Sequence, residues 1–149
     1  MHQSEQARHA QPVMSADGGP PIDDHYMGPR QLAYFRQKLL DWRSALLAET
    51  DATLAELVDD SHHEVGDELD RASREAAQTL ELRTRDRDRK LLGKIDAAIA
   101  RIDDGSYGWC EETGEPIGLA RLDARPVATL CLEAQERREL RERQTGPGL

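Results

Sequence analysis

Apolar side chains recur at Leu32, Phe35, Leu39, Trp42 and Leu46, in alternating steps of three and four residues, and Leu54, Leu57 and Val58 continue the stripe after a small shift of phase. That period is helical, so the spacing predicts an amphipathic helix of about 30 residues, roughly 45 Å long. Gly28 and Pro29 stand at its start, where Pro suits the first helical position. The segment DDSHHEVGDELD, Asp59 to Asp70, then interrupts the pattern with polar side chains and Gly66. A second helix is expected from about Asp70 to Asp103, with Leu80, Leu91, Ile95, Ala98 and Ile102 on its apolar side and Gly105 placed to end it. Neither stripe can be buried alone, so the two helices should fold back as a long antiparallel coiled-coil hairpin with its tip at about 59–72. A last helix is expected from about Leu130 to Arg143, stopping before TGPGL. The Gly- and Pro-rich stretch before it reads as a compact loop or short hairpin at the base of the rod. The fold class is therefore mainly α: a disordered tail over 1–27, a helical hairpin over 28–105, and a small globular base with a C-terminal helix over 106–149.

Composition supports a rod over a single large core. Of the 149 residues 38% are hydrophobic, 4% aromatic and 33% charged. No apolar run approaches the roughly 20 residues that span a bilayer, and the first 25 residues lack the apolar centre of a signal peptide, so a cytoplasmic protein is expected. A formal net charge of −9 argues against general binding to nucleic acid, and no helix is recognisable as one that reads DNA bases. The charge is uneven: Ala48 to Glu81 carries eleven acidic residues against two basic, whereas Arg83 to Arg101 carries seven basic against three acidic.

The stretch from Tyr107 to Glu136 has the outline of a zinc ribbon with half of its thiols. Cys110 is followed three residues later by Thr113, and Cys131 by Ala134. A structural zinc site takes four Cys or His ligands, Thr is a poor zinc ligand at neutral pH and Ala is none. The nearest histidines, His62 and His63, belong to the expected tip, far from the base. Zinc is therefore not expected. Two thiols packed as small apolar groups and a reversible Cys110–Cys131 disulfide both stand as readings. Trp109, Ile117, Leu119, Leu122, Val127, Leu130 and Leu132 are available to hold the base together by packing.

Two charged segments carry candidate chemistry. At the tip, Asp67, Asp70 and their neighbours read either as a solvated helix start, where acids are favoured, or as a point that offers carboxylates to a buried cation or basic residue. A protruding tip has no pocket to shift a pKa, so catalysis there is not expected. In RTRDRDRK, Arg83 to Lys90, helix-surface pairs such as Glu81 with Arg85 and Asp86 with Lys90 account for much of the pattern. Arg87, Leu91 and Lys94 nevertheless share one face, which suits a phosphorylated ligand.

Together these residues resemble the DksA family of bacterial transcription factors, over nearly all of the chain after residue 24. The resemblance is carried by YMGPRQLAYFRQKLLDWR on the first helix, DELDRASREAAQTLELRTRDRDRKLLGKID from the tip down the second, and YGWC with GEPIGLARLDARPVATLC at the base. It implies a non-enzymatic regulator, expected to be monomeric, whose rod enters the secondary channel of RNA polymerase. The tip motif D-x-x-D-x-A, matched by Asp67, Asp70 and Ala72, would touch the elements around the catalytic centre. The consequence would be inhibition of ribosomal RNA promoters and activation of some biosynthetic promoters. The implied effector is guanosine tetraphosphate (ppGpp), bound at the interface with polymerase, with Arg87, Leu91, Lys94 and Arg125 at the nucleotide-contacting positions. The family's further basic position, just after the last ribbon cysteine, is Gln135 here. Thr113 and Ala134 occupy two ligand positions of the four-cysteine members, which implies a branch that keeps the ribbon and works without zinc. Competing classes are a Gre-type transcript-cleavage stimulator and a structural coiled-coil adaptor that homodimerises.

Overall fold

The computed structural model describes residues 18–60 and 68–146. Four helices follow in order: α1 Pro29–Asp60, α2 Glu68–Asp104, α3 Leu119–Ala124 and α4 Leu132–Thr145. The first two, of 32 and 37 residues, are about 48 and 56 Å long at the α-helical rise. Ion pairs fix their relative direction. Arg36 pairs with Asp103, and Arg43 Nε donates to Asp96 at 2.8 Å. Seven residues up α1 thus correspond to seven residues down α2, which makes the two helices antiparallel. The expected tip falls partly outside the described residues, since 61–67, including Asp67, His62 and His63, are not among them.

The apolar stripe is buried where it meets the base. Phe35, Leu39 and Leu46 of α1 and Ile95, Ala98 and Ile102 of α2 belong to one cluster with Tyr107, Leu122 and Leu130. The Tyr107 ring lies 5.7 Å from that of Phe35, and its hydroxyl donates to the Pro126 carbonyl at 2.7 Å, so a large buried aromatic also has its polar atom satisfied. Asp123, at the end of α3, accepts from the Tyr34 hydroxyl at 2.6 Å and from Lys38 Nζ at 2.7 Å. Those two bonds clamp the base to α1.

The segment before α1 corrects the expected tail. Pro21 and Met27 are buried, and the Gln31 side chain bridges them, accepting from Met27 N–H at 2.8 Å and donating to the Pro21 carbonyl at 3.2 Å. Asp23 accepts from the N–H groups of Arg30 and Gln31, which have no partner within the helix. Residues 18–27 are therefore part of the fold, and 1–17 lie outside the described residues.

Four expected core residues are exposed, the first of them Leu54 at 42%. Leu80 is 65% exposed, being on a stretch of α2 where no described residue is buried as a whole. Trp109 is 40% exposed, with its ring edge-on to Tyr26 at 5.2 Å. Leu132 is 57% exposed, since α4 buries only Ala134. The Glu81–Arg85 pair does not form, and Glu81 Oε2 is buried without a hydrogen-bond partner, whereas Asp86 does bind Lys90 at 3.1 Å. Helix α3 falls in the stretch expected to be a loop or hairpin. At six residues it is less than two turns, too short for a period to register in the sequence.

Candidate functional site

The chain turns tightly at the four ribbon positions. Cys110 N–H donates to the Glu115 carbonyl at 2.8 Å, Gly114 N–H donates to the Cys110 carbonyl at 2.9 Å, and Gly114 supplies the positive φ of 72° that this turn requires. Glu111 N–H donates to the Thr129 carbonyl at 2.9 Å, which brings the segment leading into α4 alongside. The Thr113 hydroxyl then sits 3.9 Å from Cys131 Sγ, and Ala134 is fully buried one turn into α4. Both thiols are buried and free. Burial pushes the Cys110 thiol up, but the Thr113 hydroxyl and the backbone N–H groups of Cys131, Thr113 and Glu112 outweigh it and bring the pKa down to about 6.

A second feature opens beside this turn. A cavity of about 440 Å³ lies between α2, the α3 region and α4, and five cations line it: Lys94, Arg101, Arg121, Arg125 and Arg138. Gln135 also faces it, and Glu142 is its single carboxylate. Such a volume is within the range of small-molecule sites. The cations come from three places. Lys94 and Arg101 are seven residues apart and so share a face of α2, Arg121 and Arg125 flank the end of α3, and Gln135 and Arg138 are one turn apart on α4. Among the described residues Lys94, Arg101, Arg121 and Arg125 pair with no carboxylate, in contrast to Arg36, Lys38 and Arg43 on α1, each of which binds an aspartate. Arg121 Nε donates to the Leu130 carbonyl at 3.0 Å, and Arg101 Nη2 is buried without a partner.

The sequence-derived nucleotide set is thereby divided. Lys94 and Arg125 meet in the cavity. Arg87 lies two turns nearer the tip, in a shallow groove with Thr79, Leu82 and Lys90, and Leu91 is half-buried against the core. At the other end of the rod Asp70 stands in the first turn of α2 with Glu68, and both Asp70 and Ala72 are exposed.

Comparison with known proteins places this architecture. Residues 31–102 match the family model of the DnaK suppressor protein DksA, N-terminal domain, and residues 105–140 match that of the prokaryotic dksA/traR C4-type zinc finger. The RNA polymerase-binding transcription factor DksA of Caulobacter vibrioides is 56% identical over 131 residues, covering 88% of this chain and 92% of that protein. The chain belongs to the DksA family. The Escherichia coli K12 member is 42% identical over 121 residues, covering 81% of this chain and 80% of its own length. The structure of transcription factor DksA2 from Pseudomonas aeruginosa superposes with a TM-score of 0.75 at 50% identity, covering 82% of this chain and 93% of that one.

A C4-type finger in the DksA family implies a zinc ion, and the residues at the four positions do not fit one. They supply two thiols, a hydroxyl and a methyl group, and among the described residues no three His, Cys, Asp or Glu side chains converge. Backbone hydrogen bonds, the Thr113 contact and the buried Ala134 hold the turn. Arg101, Arg121 and Arg138 were not singled out from the sequence. Their signal was present in spacing: Arg101 is two turns from Lys94, Arg121 is four residues before Arg125, and Arg138 is three after Gln135.

Proposed function

We propose that this chain is a transcription regulator that binds RNA polymerase and catalyses nothing itself. The observation that carries the reading is the 56% identity to a protein named RNA polymerase-binding transcription factor DksA, sustained over 92% of that protein's length. The narrow rod, as a coiled-coil hairpin, enters the secondary channel and presents Asp67, Asp70 and Ala72 to the elements around the catalytic centre. The resulting change in open-complex stability inhibits ribosomal RNA promoters and activates some biosynthetic ones. Guanosine tetraphosphate strengthens the effect from the base, and the partly unpaired basic cavity that includes Lys94 and Arg125 supports that assignment, because a chain of net charge −9 has gathered cations there. The factor acts as a monomer in the cytoplasm and needs no zinc, which suits it to zinc limitation.

A photo-crosslinking side chain at Ala72 tests the placement of the tip. Ala72 is exposed in the first turns of α2, so the substitution leaves the base intact. The expected products are crosslinks to polymerase segments that line the secondary channel. Crosslinks confined to the outer surface of polymerase, or to a second copy of this chain, contradict the reading.

A further inference from the structure

Just after Ala134, where the resemblance implies a nucleotide-contacting cation, this chain has the neutral Gln135. The structure shows another cation close by. Arg138 is three residues further on, hence on the same face of α4, and it lines the same cavity as Gln135, Lys94 and Arg125. We propose that Arg138 replaces the missing charge and binds a phosphate group of the nucleoside polyphosphate, so that the anion site here is built on α4 one turn later. This inference rests on the nucleotide reading above.

The ion pairs around Arg138 suit that role. Its guanidinium is 3.7 Å from Glu112 Oε1, at the outer limit of an ion pair, whereas Arg141 Nη2 reaches the same oxygen at 3.1 Å. Arg141 can therefore keep Glu112 neutralised when Arg138 turns toward an anion. Two other cations that line the cavity are uncommitted as well: Arg101 Nη2 is a buried donor without a hydrogen-bond partner, and Arg121, held through Nε to the Leu130 carbonyl, pairs with no carboxylate among the described residues. A phosphate entering there would find donors from α2, α3 and α4, of which Arg101 and Arg121 are already desolvated in part. Glu142, one turn beyond Arg138, is the one carboxylate among the described residues lining the cavity.

The test is a titration of guanosine tetraphosphate against inhibition of a ribosomal RNA promoter, with purified polymerase and saturating full-length factor. Arg138→Ala should raise the half-effective nucleotide concentration about tenfold or more, the scale of one charge-assisted contact. Arg138→Lys should largely retain the wild-type value, and adding Gln135→Lys to Arg138→Ala should restore it. Two results overturn the inference while leaving the nucleotide site standing: Lys94→Ala weakens the response but Arg138→Ala does not, or Glu112→Gln reproduces the Arg138→Ala effect, which would make Arg138 a structural partner only. If the nucleotide has no effect on wild type, or none of the variants including Lys94→Ala shifts the titration, both the inference and the nucleotide reading fall.

Discussion

The lower and upper halves of the rod are built from similar helical sequence and behave as different materials. Below, Phe35, Leu39 and Leu46 on α1 interlock with Ile95, Ala98 and Ile102 on α2 and with the base. Above, among the described residues of 47–60 and 68–94 none is buried as a whole, and Leu54, Leu80 and Leu82 are exposed. Apolar burial is the dominant favourable term in folding, so the stability of this protein is concentrated at one end. The end that carries Asp70 and Ala72 is a lever held from below. A lever of this kind tolerates changes at its point without unfolding, which leaves its sequence free to answer to a partner. It also opens locally more readily than the base.

The largest effect that tests this contrast is Phe35→Ala. Phe35 is fully buried against Tyr107 and Tyr34, so the substitution should cost about 3–5 kcal/mol in urea unfolding followed by circular dichroism. Leu80→Ala should cost roughly 0.5 kcal/mol or less, as for a surface position. Equal losses for the two variants would erase the distinction between the halves.

A smaller effect is expected at the clamp between α1 and the base. Lys38 and the Tyr34 hydroxyl hold the Asp123 carboxyl below its usual range. A depressed carboxylate contributes stability above its unfolded value, and that stability is lost as pH falls through the folded value. Asp123→Asn should therefore cost about 1–2 kcal/mol at neutral pH and flatten the acid limb of the stability curve. An acid limb identical to that of wild type would show that other carboxylates govern it.

The smallest effect is expected at the ribbon turn. Cys110→Ser combined with Cys131→Ser should leave the base folded, and wild-type protein prepared without a chelator should carry no stoichiometric zinc. The Cys110 thiolate should titrate by ultraviolet absorbance with a midpoint at about 6. Its stabilising contribution is then complete above the ordinary thiol value and disappears as pH falls through that midpoint. Unfolding of the double variant, or bound zinc at one equivalent, contradicts the account of a metal-free turn.

Much of the fold was legible because periodicity reports helices that are long. The boundaries of α1 and α2 lie within a few residues of those expected from Leu32 to Leu46 and from Leu91 to Ile102. What the pattern does not report is depth. Leu80 falls in phase with the stripe and is exposed all the same, since burial there depends on how far the base extends up the rod. Tyr26 and Met27 precede any period, and their role becomes visible only when the Tyr26 hydroxyl donates to the Gly108 carbonyl at 2.7 Å and accepts from Gly118 N–H at 2.9 Å, contacts across more than 80 residues. The candidate nucleotide site was legible in part for the same reason. Lys94 could be found on a helix face, but the cavity is closed by α3 and α4, and their placement depends on tertiary packing that no local spacing encodes.

The central claim is that a lever anchored at its base acts on polymerase through its acidic point. It is tested most directly by transcription in vitro from a ribosomal RNA promoter, comparing wild type and Asp70→Asn at equal polymerase occupancy, with and without guanosine tetraphosphate. The account predicts inhibition by wild type that the nucleotide deepens, and loss of inhibition in Asp70→Asn despite retained binding. Undiminished inhibition by Asp70→Asn, or wild type that shortens stalled transcripts and leaves initiation unchanged, would contradict it.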